Sequence, residues 1–216
     1  VATHAPVAVV LIALLDVLVF VYLASLESSQ ATSFVDRYGL VPRELLRALS
    51  DPGSGAPLWI SPLTSMFLHG DVWHLAGNLL YLWIFGALLE ERLGHARFVA
   101  FYLACGLAAA LLHVASAPGA YLPALGSSGA ISGLLGAYAA SGPRARLRLR
   151  WPPIAVPALA LLGIWIALQL ASAVDLRGEG SGAVAGWAHL GGFASGALGM
   201  RWLARRALPA HAGLRS

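Results

Sequence analysis

Ser128-Gly129-Ala130-Ile131-Ser132-Gly133-Leu134-Leu135-Gly136-Ala137-Tyr138-Ala139-Ala140-Ser141-Gly142 is an uncharged run that stops at Pro143, ahead of Arg144, Arg146, Arg148 and Arg150. As a helix, these roughly fifteen residues cover about 22 Å of a bilayer core about 30 Å thick. The proline and the arginines hold one end at the membrane surface. The shortfall of about 8 Å therefore falls at the other end, and Ser128 begins its helix below the opposite surface. A helix start at that depth needs protein or a water cavity around it, because lipid cannot satisfy free backbone groups.

Composition makes the membrane setting general. The chain is 58% hydrophobic and 11% charged, with a mean hydropathy of +0.73. Water-soluble domains carry about 25% charged residues. Five further apolar segments accompany the run at 128–142, at about 7–26, 72–89, 98–117, 154–174 and 183–203. The expectation is an all-α, six-transmembrane-helix bundle, a single membrane domain over residues 1–216, with one long amphipathic loop at about 27–71. The first segment has no arginine or lysine ahead of it and is longer than a signal-peptide core, so it reads as a span. Cys105 is the only cysteine, so no internal disulfide is possible.

All 14 basic residues are arginines. They sit in short segments between apolar spans rather than on one soluble face, which argues against a nucleic-acid partner. Arg92, Arg97, the four arginines after Pro143 and those near the C-terminus share one side. Arg37, Arg43, Arg47 and Arg177 lie on the other, accompanied by acids. The positive-inside rule then predicts a multi-pass cell-membrane protein with both termini cytoplasmic and its polar site opening to the outer side.

Four polar side chains fall at similar depth in that outer half. Asn78 and His189 lie about six residues into helices entering from outside, roughly 9 Å down. His74 is one turn above Asn78 on the same face, and Ser128 starts its helix about 8 Å down. Ser128, Ser132 and Gly136 form a small-residue stripe, as do His189, Gly192 and Gly196, and such stripes let membrane helices approach closely. Their juxtaposition would bring the Ser128 hydroxyl to the His189 ring, a weak nucleophile beside a base suited to neutral pH. No acid lies near His189 in sequence, so a dyad is expected. Candidate oxyanion donors are the Ser128 N–H, the Asn78 amide and the His74 ring.

Gly126-Ser127-Ser128-Gly129, His74-Leu75-Ala76-Gly77-Asn78, Ala188-His189-Leu190-Gly191-Gly192 and Glu90-Glu91-Arg92-Leu93-Gly94 together resemble the motifs of the rhomboid intramembrane serine proteases, of the minimal six-span bacterial type, in order and spacing. The resemblance implies Ser128 as nucleophile, His189 as general base, and His74 and Asn78 as oxyanion donors. It also implies transmembrane protein substrates, cut near the outer membrane boundary within the lipid bilayer, with no cofactor and no metal. His69 also falls where many bacterial members carry a histidine. Two positions depart from the family pattern. Trp59 is followed by Ile60 rather than arginine, and Ser132 stands where many members place an aromatic on the catalytic histidine. Trp187 or Tyr138 is then expected to orient His189.

Other readings bear on the same residues. A non-catalytic rhomboid-like binder of membrane helices would lack the nucleophile or the base, and this chain has both. A small transporter lined by His74, Asn78 and His189 would be expected to show internal repeats, and none is evident. Glu90, Glu91 and Arg92 read as a helix-end charge cluster far from the chemistry, and His69 as a structural support for the long loop. Asp16, in the middle of the first span, costs about 2.5–3.5 kcal/mol to insert and receives no role from the sequence.

Overall fold

The computed structural model describes residues 5–51, 58–141, 147–148, 155–156, 158–173 and 181–207. The chain opens with α1 (Val7–Ser25), which starts after Pro6 and stops where Leu26 turns extended. Its exposed Leu11, Leu14, Leu18 and Val21 form a lipid-facing surface, and its backbone satisfies itself, as a helix in lipid must.

The amphipathic loop is built of short helices. α2 (Ser28–Tyr38) starts on a capping box between Glu27 and Gln30, and α3 (Pro42–Ser50) carries its proline in the first turn, where the missing N–H costs nothing. A helical stretch over Leu58–Phe67 follows, including α4 (Ser61–Thr64). Next comes the long rod Val72–Leu93, made of α5 (Val72–Tyr81), a π-helical segment at Leu82–Gly86 and α6 (Ala87–Leu93). Asp71 caps it, its Oδ1 accepting from the N–H groups of Trp73 and His74 at 2.8 and 2.9 Å.

Gly94, at φ +76°, breaks the rod and starts α7 (His95–Ser116). Then come α8 (Ser128–Ala140), a two-residue antiparallel ribbon pairing β1 (Leu147–Arg148) with β2 (Ala155–Val156), α9 (Ala158–Ala173) and α10 (Ser181–Ala207). The fifth span was expected from residue 154, but its helix begins at Ala158. Pro157 disfavours helical backbone at the residue before it, which leaves Val156 extended in β2.

Among the described residues, three rods are long and apolar enough to cross a bilayer by themselves: Val7–Ser25, Val72–Leu93 and His95–Ser116. α8 is shorter and sits at the centre. Every residue from Ala130 to Tyr138 is buried, against α7, α10 and the π-helical segment of the second rod. Its 13 residues span about 20 Å, so Ser128 starts a helix too short to cross a bilayer. The fold is an all-α membrane bundle with one minute ribbon.

Glycine sets how closely α8 and α10 pack. A Cβ on Gly136 would collide with the Phe193 carbonyl, one on Gly192 with the Gly129 carbonyl, and one on Gly196 with the Gly133 carbonyl. The closest backbone approach on α8 runs through Gly129, Gly133 and Gly136, and the expected Ser128–Ser132–Gly136 stripe borders it, with the Ser132 Cβ 3.2 Å from a Cβ placed on Gly192. The Ser132 hydroxyl turns back to donate to the Ser128 carbonyl at 2.6 Å.

Glu90 has a more specific place than a helix-end charge cluster. Its carboxylate is buried and accepts from the N–H groups of Ala8 and Val9, each at 2.8 Å. These are first-turn donors that a helix leaves unpaired, so Glu90 caps α1 from the neighbouring rod. His95 Nδ1 also meets Glu90 Oε1.

Candidate active site

His189 Nε2 and Ser128 Oγ lie 2.8 Å apart. α10 supplies the ring and the first turn of α8 supplies the hydroxyl, and the glycine line between the two helices makes the approach possible. His189 Nδ1 is buried and has no hydrogen-bond partner among the described residues. Among the described residues no carboxylate holds the far side of the ring. For Nε2 to take the serine proton it must carry the lone pair, which puts the ring proton on Nδ1.

Trp165, on α9, packs edge-on against the His189 ring at 6.1 Å between centroids, with planes at 70°. This departs from the expectation of Trp187 or Tyr138. Trp187 is half-exposed, and Tyr138 lies against Phe85. The signal available in the sequence was an aromatic in the fifth span at the depth of His189. Assigning it required knowing which face of α9 meets α10.

The turn ahead of Ser128 is held from the long loop. Ala124 and Leu40 exchange backbone hydrogen bonds at 2.8 and 3.1 Å, and the Gly126 N–H donates to the Ser65 carbonyl at 2.9 Å. The Thr64 hydroxyl ties this part of the loop to the Tyr38 carbonyl at 2.7 Å. None of these loop anchors was singled out from sequence, since backbone pairing leaves no side-chain signature and Thr64 meets a carbonyl distant in sequence.

Gly126 adopts φ +107°, and a Cβ there would stand 2.6 Å from His74 Nε2 and 3.3 Å from Asn78 Nδ2. The glycine is needed twice over, for a left-handed backbone and for contact with two side chains. His74 and Asn78 therefore flank the turn that presents Ser128, as their depth suggested. Asn78 is buried, and its Nδ2 donates to nothing. Ser128 stands at the first position of α8, whose N-cap makes no side-chain hydrogen bond. Its N–H belongs to the donors a helix leaves unpaired.

His69 stacks edge-on against His74 at 5.2 Å between centroids, from the loop just before the second rod. Burial pushes its ring down to about 4, with the nearby His74 adding to the effect. The ring is neutral at ordinary pH and supports His74. The Asp71 carboxyl is held below the usual carboxylate range, chiefly by the N–H it accepts from His74.

A cavity of about 450 Å³ opens beside the pair, bounded by Ser128, His189, Gly126, Met66, His113 and Leu122 among others. Its walls are mostly apolar, with the serine hydroxyl and imidazole at its edge. Among the described residues no group of three or more metal-ligating side chains converges. The arrangement sets a serine hydroxyl against an imidazole beside the buried Asn78 amide, at the edge of a cavity with room for a side chain.

Comparison with known proteins places this geometry. The Rhomboid domain family matches residues 57–206. The chain is 36% identical over 149 residues to Rhomboid protein 1, mitochondrial, of Saccharomyces cerevisiae, covering 64% of this chain and 40% of that protein. It is 35% identical over 145 residues to Rhomboid protease GluP of Bacillus subtilis, covering 66% and 26%. It is 30% identical over 158 residues to the human presenilin-associated rhomboid-like protein, mitochondrial, covering 69% and 39%. The chain thus spans two-fifths or less of the length of these relatives.

The relatives correct one expectation. Arginine asymmetry predicted a cell membrane with cytoplasmic termini and an outward-opening site. The yeast, mouse, human and Arabidopsis relatives are named as mitochondrial proteins, which overturns the cell membrane as the expected setting. The physical reason is that arginine counts distinguish the two faces of a membrane but carry no information on which membrane it is. With family residues matched from the long loop through α10, and the motif side chains gathered around one turn, the chain is a member of the rhomboid family.

Proposed function

We propose that this chain is an intramembrane serine endopeptidase that cuts transmembrane proteins within the bilayer, near the membrane boundary on the side where Ser128 lies. The observation that carries the proposal is the 2.8 Å contact between His189 Nε2 and Ser128 Oγ at the edge of an open cavity. His189 takes the Ser128 proton as the hydroxyl attacks the scissile carbonyl, and returns it to the leaving amine. Charge developing on the carbonyl oxygen is met by the Ser128 N–H, the Asn78 amide and the His74 ring, preorganised donors in a site shielded from bulk water. The whole chain forms one membrane domain in this reading, with single-span proteins as substrates. No step requires a metal or a cofactor.

Rhomboid-like proteins that only bind membrane helices are the rival, and the retained hydroxyl–imidazole pair favours chemistry. The purified protein in lipid vesicles is expected to cleave a single-span reporter. Ser128→Ala and His189→Ala should each abolish cleavage with folding intact. Cleavage at the parent rate by Ser128→Ala would end the proposal.

A further inference from the structure

Where α2 follows α1, an open groove lies between Tyr22 on α1 and Gln30, Ser33, Phe34, Arg37 and Tyr38 on α2. None of these residues takes part in the proposed cleavage. α1 holds 19 residues, about 28 Å at 1.5 Å each, against a hydrocarbon core about 30 Å thick. Tyr22 therefore stands about one turn from the end of the span, where hydrocarbon gives way to headgroups. Its ring packs edge-on against Phe34 at 5.4 Å between centroids, and Phe34 packs against Tyr38 at 4.5 Å. Tyrosines gather at that level of a membrane because one end of the ring is apolar and the other is wet.

The polar groups of the groove divide into those already engaged and those left over. The Ser33 hydroxyl donates to the Ser29 carbonyl at 2.9 Å, and the Gln30 side-chain oxygen accepts the Glu27 N–H at 3.3 Å. Glu27 turns its carboxylate onto the first turn of α2 and, like Asp36, does not line the groove. Arg37 is exposed and makes no ion pair among the described residues. Its guanidinium carbon lies 5.9 Å from the centre of the Tyr38 ring. A cation–π contact of that kind holds the guanidinium without consuming its five N–H donors. Tyr22 and Tyr38 accept hydrogen bonds through their backbone carbonyls, and neither phenol is paired among the described residues. A guanidinium fork beside two phenol donors, with no acid lining the groove, is complementary to a phosphate.

A second observation says which phosphate. Leu11, Leu15, Leu18 and Tyr22 follow one another at spacings of four, three and four residues, so they share one face of α1, and all four are exposed. This stripe runs along the span to the groove and ends at it. We propose that the groove binds the phosphate of a membrane phospholipid, with Arg37 clamping its oxygens, Tyr22 and Tyr38 donating to them, and an acyl chain lying along the α1 stripe. Free phosphate would use the groove and leave the stripe bare. The site is independent of the roles proposed for Ser128 and His189.

The full chain, purified in detergent, is titrated with phosphatidylglycerol and its lipid adducts are read by native mass spectrometry. Arg37→Gln should weaken binding about tenfold, and Tyr22→Phe combined with Tyr38→Phe about fivefold. Arg43→Gln, which removes an exposed arginine from the neighbouring α3, should leave the affinity unchanged. Diacylglycerol, which has the tails without the phosphate, should bind the unsubstituted protein at least about tenfold more weakly, and inorganic phosphate should not displace the lipid. Phosphatidylglycerol carrying a photoactivatable acyl chain should label α1 between Leu11 and Tyr22. Equal weakening by Arg37→Gln and Arg43→Gln, diacylglycerol binding as tightly as phosphatidylglycerol, displacement by inorganic phosphate, or labelling confined to other helices would each overturn the assignment. The last three use the unsubstituted protein, so they decide even if a variant folds poorly.

Discussion

Asn78 is a buried side chain whose amide nitrogen has no acceptor among the described residues, beside the turn that carries Ser128. A buried donor left unpaired is destabilising, and the proposed mechanism gives it a partner only when an oxyanion forms. Asn78→Ala should therefore lower kcat by roughly 100- to 1000-fold with little change in KM. Steady-state cleavage kinetics on a single-span reporter check this, and an unchanged kcat removes Asn78 from the oxyanion site. His69 makes a different prediction, in stability rather than rate. Its ring is pushed down to about 4 in the folded protein, against about 6.5 in an unfolded chain. Between those values the unfolded chain holds more protons, so stability is fully present above pH 6.5 and declines as pH falls toward 4. Thermal midpoints across that window should fall more steeply for the parent protein than for His69→Asn. Identical slopes would show that the ring is not held neutral.

Helix α8 gains its position from glycines rather than from large side chains. Gly129, Gly133 and Gly136 let α10 approach until backbone meets backbone, and that approach sets the reach from the His189 ring to the Ser128 hydroxyl. Gly196→Ala should destabilise the bundle by about 1–3 kcal/mol through overpacking and impair cleavage as well. Gly163 on α9 has nothing within 4 Å of its missing Cβ, so Gly163→Ala should be neutral or stabilising. Thermal unfolding of the two variants in the same detergent compares them, and equal midpoints would contradict the packing account. Helix existence and the close pairing of α8 with α10 were legible from apolar runs and small-residue spacing. The expected stripe lies at the α8–α10 contact, but spacing alone did not single out Gly129 and Gly133 as the positions where backbone meets backbone, nor that the Ser132 hydroxyl bonds its own helix. The ring beside His189 was misassigned for a related reason. The sequence reading did not establish which face of α9 meets α10, so Trp165 was passed over.

Across the whole molecule, depth was the most informative quantity. Counting Ser128 back from its arginine-marked end, and Asn78 and His189 inward from the outer ends of their spans with His74 a turn above Asn78, brought the four to similar depth, and the structure sets Ser128 against His189 and places His74 and Asn78 beside Gly126. Backbone hydrogen bonds from Leu40 and Ser65 to that turn and the Glu90 cap on α1 were not legible, because they join residues distant in sequence and depend on which rods are neighbours. Covalent labelling of the purified protein by a fluorophosphonate, mapped by peptide mass, tests the central claim most directly. A single adduct on Ser128, absent in His189→Ala, is the predicted result. No adduct on Ser128, or undiminished labelling without the imidazole, would contradict it.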